Sequence, residues 1–318
     1  MTLSASPSPC LVIFGPTASG KSDLALALAD RYRGTIINAD SMQIYKDLRL
    51  LTARPSVADE AAQPHRLYGV LDGDQVCSAA DWRALALTEI EAALAAGRVP
   101  ILCGGTGFYL KAMVEGLSPM PEIPPDLRAD VRARVEALPG AEAWDWLQRI
   151  DPVAAARIEP MDKQRISRAL EMFEATGRPM TDWQAQPLSG PPPGLSFTTF
   201  ALNPPRDVLR SRCDLRFDMM MERGALEEVE TLLTRNLPSD RPLMRAVGVP
   251  ELAAHIRGEL SRDEAVTRAK AATRQYAKRQ STWLKNQIIT SFSKNEQFSK
   301  RSEGDFFAFI EENGLIKV

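Results

Sequence analysis

Short apolar runs punctuate the first third of the chain: Cys10 to Phe14, then Thr35-Ile36-Ile37-Asn38-Ala39-Asp40, then Val99-Pro100-Ile101-Leu102-Cys103. Each is short and bounded by glycine or an acid, the pattern of strands buried on both faces of a parallel sheet. Between them lie stretches with alanine and leucine at helical spacing, one reaching about residue 32 and another over 78–96. Strand, turn and helix in alternation predict a doubly wound α/β core. From about Gly116 the pattern changes. Pro119, Pro121, Pro124 and Pro125 cluster, and the segments that follow, among them 126–138 and 162–176, are helical in period with no strands between them. A second breaker-rich stretch, 187–194, closes this region, and 197–202 has the apolar run of a strand returning to the core. Beyond it the spacing predicts one long helix over 207–235 and a last strong helix over 262–287, capped by Ser261. The predicted division is a core in two parts, residues 1–117 and 196–318, with an all-helical insertion over 118–195. The tail after Ser291, polar and then aromatic around Phe306-Phe307, suggests no function.

Composition adds limits to this picture. With 318 residues, 44% hydrophobic and 25% charged, the balance is that of an ordinary soluble protein, and no stretch approaches the roughly 18 uninterrupted apolar residues of a membrane span. The first nine residues are polar and proline-bearing, without the basic start and apolar centre of a secretory signal, so a cytoplasmic address and no membrane partner are expected. Cys10, Cys77, Cys103 and Cys213 are far apart and form no C-x-x-C pair, which argues against a zinc cage or a disulfide framework. Cys10 and Cys103 read as small buried hydrophobes. A formal net charge of −2 argues against binding nucleic acid by overall charge alone. Distribution matters more. Lys270, Arg274 and Lys278 recur at four-residue steps on one face of the last strong helix, with Arg268, Arg279 and Lys285 nearby and Tyr276 and Trp283 interleaved. That face is either a track for a phosphate backbone or a solvated surface with its aromatics turned to the core.

The candidate chemistry begins where the first apolar run ends, at Gly15-Pro16-Thr17-Ala18-Ser19-Gly20-Lys21-Ser22. Glycines there let the backbone fold around an anion with its N–H groups inward, and the helix that follows aims its positive dipole end at the same place. Lys21 adds a mobile positive charge for the outer phosphates, and the Ser22 hydroxyl is placed to coordinate Mg²⁺. With the alternating elements, this predicts an α/β fold: a P-loop NTPase-like doubly wound parallel sheet with an inserted all-helical domain. Phosphate-loop ATPases and GTPases usually place an acid at the end of a later strand. Here the third run ends in Cys103-Gly104-Gly105-Thr106 and offers no carboxylate. Asp40, at the end of the second run, is the acid expected near the loop. It reads as a metal-shell ligand, as a general base for a nucleophile entering beside a phosphorylated donor, or as a strand-end helix cap.

Five motifs then carry a resemblance: the loop from Gly15 to Ser22, Asp40-Ser41-Met42-Gln43-Ile44-Tyr45, Gly104-Gly105-Thr106-Gly107, the stretch from Asp162 to Glu171, and Ala272-Thr273-Arg274-Gln275-Tyr276-Ala277-Lys278-Arg279-Gln280. They occur in the order seen in bacterial tRNA dimethylallyltransferases, and the chain resembles that family from about Leu11 to Trp283. The resemblance implies transfer of a dimethylallyl group from dimethylallyl diphosphate to the exocyclic amine of adenosine 37, beside the tRNA anticodon. It also implies Mg²⁺ and a monomer. Gly15, Pro16, Thr17, Ala18, Ser19, Gly20, Lys21 and Ser22 match the donor-diphosphate site, so the loop would hold a leaving group and not a nucleotide to be hydrolysed. Asp40 matches the family's general base, Ser41, Met42 and Gln43 its substrate-base contacts, Thr106 a residue close to the reacting centre, and Arg216 a diphosphate-binding arginine. Gln164, Arg165, Ile166, Ser167 and Arg168 match a tRNA-contacting segment, and Arg128 and Arg245 fall where further contacts to the anticodon stem-loop are expected. The target base would be flipped into a channel between core and insertion.

Plainer readings stand beside these. Arg165 and Arg168 are placed to form surface pairs with Glu171 or Glu174, and His65, after a proline, reads as structural. The sequence also departs from the family at Leu51, at Glu159-Pro160-Met161 and at Val249-Pro250, which bears on tRNA contact and leaves the donor loop and Asp40 intact. A small-molecule kinase would share the loop and Mg²⁺ but leave the helical insertion without a purpose. A free-nucleotide prenyltransferase would not need the basic final helix, and an RNA-binding module with a relic loop would form no product.

Overall fold

The computed structural model describes residues 7–287 and 290–316. Two units divide the chain: the segment up to Val114 together with that from Pro192 onward, and Glu115–Pro191. In the first unit, Ser8–Phe14 (β1) leads to Lys21–Arg31 (α1), Gly34–Asn38 (β2), Val57–Ala62 (α2), His65–Arg66 (β3), Ala79–Ala95 (α3), Val99–Gly104 (β4) and Gly107–Val114 (α4). The second unit contains Pro125–Ala137 (α5), Glu142–Ile150 (α6), Pro152–Ala155 (α7), Lys163–Thr176 (α8) and Met180–Gln184 (α9). The first unit resumes with Leu195–Leu202 (β5), Arg206–Glu222 (α10), Ala225–Thr234 (α11), a 3₁₀ turn at Pro242–Arg245, Val249–Ile256 (α12), Arg262–Gln287 (α13), Phe292–Lys294 (β6) and Lys300–Glu312 (α14).

Six strands form one parallel sheet in the order β3-β2-β4-β1-β5-β6. Its centre is β1, whose Ile13 is in register with Cys103 of β4 and Phe200 of β5. Side chains alternate across a strand, and here both faces are apolar because both are covered. Val12 and Phe14 face a core built with Trp82 and Ile90 of α3, Tyr109 of α4, Leu252 of α12 and Leu284 of α13. Leu11 and Ile13 face the other, with Leu24 and Leu28 of α1 and Phe306 and Ile310 of α14. Trp82 stacks on Tyr109 at 4.7 Å and donates its Nε1–H to the carbonyl of Asn38 at 2.7 Å. The buried indole thereby satisfies its one donor and holds α3 against the end of β2.

The sheet order has a direct consequence for the site. β1, β2 and β4 are neighbours, so the loops after all three, residues 15–20, 39–41 and 105–106, lie at the same carboxyl edge, where parallel sheets gather ligands. In the second unit, Val131, Val135, Leu147, Ile166 and Leu170 make a separate small core. Asp151, 2% exposed, is satisfied there by the N–H groups of Ala154 and Thr181 and by the Thr181 hydroxyl at 2.8–3.0 Å.

One expectation is corrected, and the tail gains a place in the fold. Residues 207–235 are two helices, because Gly224 adopts φ +99° and serves as the N-cap of α11. The tail after Ser291 is structural: β6 pairs with β5, and α14 supplies Phe306 and Ile310 to the core. Edge strands β3 and β6, of two and three residues, are too short to leave a periodic signal, and His65 lies in the former.

Candidate active site

The loop after β1 departs from ordinary backbone at Ala18 and Gly20, with φ of +66° and +91°. It closes on itself through the Ser19 N–H, 3.2 Å from the Pro16 carbonyl. Lys21 opens α1 and folds back, its Nζ 2.9 Å from the same carbonyl. Ser22 follows with an exposed position in the first turn. Two arginines one turn apart on α10 reach the loop: Arg212 donates to the Ala18 carbonyl at 3.1 Å, and Arg216 donates to the Thr17 hydroxyl. Burial pulls the Lys21 ammonium below the usual lysine range, with Arg216 adding to the effect and Cys103 and Asp40 opposing it. Burial likewise lowers Arg216, against the pull of Cys213 and Asp40. A guanidinium remains charged regardless, so the loop is lined by partly buried cations. Ser19 Oγ is buried and has no hydrogen-bond partner among the described residues. Concentrated positive charge and an orphan hydroxyl in one loop suit an anion with several oxygens.

Asp40 is held by the end of β2. The Asn38 side chain accepts from the Asp40 N–H at 2.8 Å and donates to the carbonyls of Asp40 and Leu67 at 2.9 and 3.0 Å. Asp40 Oδ1 accepts from the Met42 N–H at 2.9 Å, which fixes the carboxylate. Its charge acts on Lys21, Arg216, Cys103 and Tyr276, so it shares one electrostatic site with the loop. Thr106 joins it from β4: its N–H donates to the Ala39 carbonyl at 3.2 Å, and its hydroxyl accepts from the Ser41 N–H at 2.9 Å and donates to Ser41 Oγ at 3.2 Å.

Helix α13 covers these loops. Gln280 accepts from the Thr17 N–H at 2.8 Å and donates to the Gly105 carbonyl at 2.9 Å. A Cβ on Gly105 would lie 2.2 Å from Gln280 Nε2, and one on Gly107 2.1 Å from the Trp283 ring, so close approach of α13 explains both glycines. Tyr276 is pushed up by burial and by Asp40, while hydrogen bonding with Thr106 and Gln280 opposes the shift. Gln280 and Arg212 contact the loop without having been singled out in the sequence, where Tyr276 stood only as an aromatic interleaved with basic residues. The signal for Gln280 is its four-residue step from Tyr276 within a recognised motif. From the other side, the Phe298 N–H donates to the Ser19 carbonyl at 3.3 Å, and a Cβ on Gly20 would come within 3.0 Å of the Phe298 Cβ.

The basic face of α13 is less free than its sequence suggests. Lys270 pairs with Asp218 at 2.6 Å and Arg274 with Asp214 at 2.5 Å, both acids from α10. Lys278 remains exposed, and with Arg206, Arg210, Arg274 and Lys285 it borders a cleft of about 580 Å³ between α10 and α13 whose wall includes Cys213.

Other candidate residues fall in three places. Ser41 and Met42 follow Asp40. Gln43 directs its Nε2 at the carbonyls of Thr52 and Ala53, 2.8 and 3.0 Å away. That turn is anchored where the Glu228 carboxylate collects the N–H groups of Arg49, Leu50 and Leu51, so Leu51 is held by backbone contacts that need no glycine. Arg245 is exposed on the 3₁₀ turn, and the Val249-Pro250 departure is absorbed as the first turn of α12, where proline costs no helical hydrogen bond. In the second unit, Gln164 and Arg165 are exposed in the first turn of α8, Ile166 and Ser167 are buried, and Arg165 pairs with Asp162 at 3.4 Å. Arg128, Arg132 and Arg168 converge on Glu171, whose side chain is 1% exposed, at 3.9, 2.8 and 3.4 Å.

A cation-lined loop and a fixed carboxylate, at the carboxyl edge of a P-loop NTPase-like sheet, place the chain among enzymes of that fold class. The chain belongs to the IPP transferase family, whose model matches residues 43–287. It is 50% identical over 296 residues to the tRNA dimethylallyltransferase of Zymomonas mobilis, covering 92% of this chain and 94% of that one. To the tRNA dimethylallyltransferase of Rhodospirillum rubrum it is 54% identical over 282 residues, covering 88% and 86%. Among solved structures it is similar to the full-length tRNA isopentenylpyrophosphate transferase of Bacillus halodurans, with TM-score 0.69, 30% identity and coverage of 97% and 98%. A eukaryotic dimethylallyltransferase acting on tRNA aligns with TM-score 0.78 at 25% identity, covering 96% of this chain and 80% of that one.

Proposed function

We propose that this enzyme transfers the dimethylallyl group of dimethylallyl diphosphate to the N6 amine of adenosine 37, beside the anticodon of a bacterial tRNA. The relatives' activity supports the substrates. The observation that carries the chemistry is the Asp40 carboxylate sharing one charged site with Lys21 and Arg216. The allylic C1–O bond breaks with its electron pair moving onto the diphosphate, where Lys21, Arg216 and the N–H groups of residues 15–22 meet the developing charge. The C1–N6 bond forms as Asp40 takes the amine proton. The amine lone pair is delocalised into the adenine ring, so the carboxylate's orienting hydrogen bond matters as much as its basicity. Thr106 and Ser41 supply hydroxyls beside it. Gln43, with both amide hydrogens directed to carbonyls, retains an acceptor that suits an amine.

Among the described residues no three His, Cys, Asp or Glu side chains form a metal cage. That fits Mg²⁺, which binds through few protein groups and mainly through phosphate and water, with Ser22 as its protein ligand. When bound, it adds charge stabilisation at the leaving group. Arg128, the exposed members of Gln164 to Arg168, and Arg245 are assigned to the anticodon stem-loop, whose target base must leave its stack. The enzyme acts as a cytoplasmic monomer.

Incubating the purified protein with Mg²⁺ and dimethylallyl diphosphate, and offering total bacterial tRNA, AMP or no acceptor, tests this reading by nucleoside mass analysis. Dimethylallyl-adenosine forms with tRNA alone; product from AMP, or none from tRNA, overturns it. Asp40→Ala lowers kcat by about 10³-fold with tRNA affinity retained. Equal loss of binding and turnover counts against Asp40 as base.

A further inference from the structure

Gln280 joins two halves of the site that no other described side chain bridges by hydrogen bonds at both ends. It is 5% exposed on α13, and its amide is engaged at both ends, with the Thr17 N–H at 2.8 Å and the Gly105 carbonyl at 2.9 Å. Its orientation is unambiguous, because one partner is only a donor and the other only an acceptor. Thr17 belongs to the loop assigned to the leaving diphosphate. Gly105 immediately precedes Thr106, which grips Ser41 beside Asp40. We propose that Gln280 is a positioning residue that sets the separation between the diphosphate loop and the Asp40–Thr106 side of the site, and so the alignment of leaving group, allylic carbon and amine.

This inference rests on the transfer reading above. In the aligned complex the C1–O pair leaves with diphosphate, N6 bonds to C1 and its proton passes to Asp40. If the two loops shift apart, the C1–O bond still breaks, but water takes the carbon, giving dimethylallyl alcohol, diphosphate and a proton. Misplacement of about 1 Å costs on the order of 10²-fold in rate even when binding is intact. Gln280 therefore acts on kcat and on coupling more than on either KM.

Gln280→Met keeps the length and apolar stem but makes neither hydrogen bond. It is expected to lower kcat about 10²-fold, to change both KM values by less than about threefold, and to raise the ratio of diphosphate released to dimethylallyl-adenosine formed clearly above one. Gln280→Glu gives a second, independent reading. A protonated carboxyl reproduces both contacts, whereas a carboxylate repels the Gly105 carbonyl. The ratio of its kcat to that of the wild type should fall at least about tenfold from pH 5.5 to pH 8.5. Lys21, Arg216, Asp40 and Tyr276 are the charged and titratable groups around the position, and taking the ratio removes only the pH dependence that both proteins share. Wild-type kcat and coupling in the Met variant, or a flat pH ratio in the Glu variant, overturn the proposal. Absence of product from the wild type overturns the transfer reading itself, and this inference with it.

Discussion

At Lys21, enclosure lowers the ammonium's pKa below its value in the unfolded chain, so holding the charge costs folding free energy in the unliganded enzyme. The cost is present in full below the folded pKa and is relieved as pH rises through it. Lys21→Met is therefore expected to raise Tm at pH 7 by about 2 °C while lowering turnover about 10³-fold, measured by calorimetry and product formation. Added diphosphate should raise the wild-type Tm more than that of the variant. The opposite balance holds at Glu171. Its buried carboxylate neutralises the half-exposed Arg128, Arg132 and Arg168, and Glu171→Gln is expected to destabilise the protein by about 1–2 kcal/mol in urea unfolding. Lys21 and Asp40 were legible in the sequence because each terminates or follows a buried strand in a recognisable string. Gln280 was not. Its two partners lie 263 and 175 residues away, and a glutamine on a polar helix looks the same whether or not it reaches them.

At the level of elements, β1 and β4 each carry a buried thiol whose ionisation the fold opposes. Burial pushes Cys103 up from an ordinary 9.0 to about 12 and raises Cys10 as well. Above pH 9 the unfolded chain loses these protons while the folded one keeps them, so stability falls with rising pH. In Cys103→Ala the slope of unfolding free energy against pH between 9 and 10.5 should be shallower by about 1 kcal/mol per unit on average, approaching the ~1.4 of one full thiol at the upper end. Between α10 and α11, Gly224→Ala forces an L side chain into φ +99° and is expected to cost about 1 kcal/mol, read from the urea midpoint. That break was hidden in the sequence because apolar residues keep helical spacing on both sides of it. Strands β1, β2, β4 and β5 were visible as apolar runs. Strands β3 and β6 gain their identity from a neighbour already in the sheet, and their own few residues carry no period.

The molecule as a whole was legible as an α/β core with a helical segment inside it, because breakers at Pro119 to Pro125 and 187–194 bracket that segment. What the sequence concealed is how far the phosphate loop depends on residues beyond the family model's last match at 287. Phe298 hydrogen-bonds Ser19 and lies against Gly20, and α14 packs on the helix that follows the loop. Phe298→Ala is expected to raise KM for the diphosphate donor several-fold and leave KM for tRNA unchanged, by steady-state kinetics. Seen from the ribosome, this arrangement sets a schedule. The loop is translated at residues 15–22, its sheet neighbour β5 near residue 200, and its brace near 298. At roughly 5–20 residues per second the loop waits on the order of 15–60 s for that brace. During that interval Leu11 and Ile13 lack the cover that Phe298, Phe306 and Ile310 give their face of the sheet. A polypeptide cut short near residue 290 would carry every recognisable motif and still lack the loop's last support.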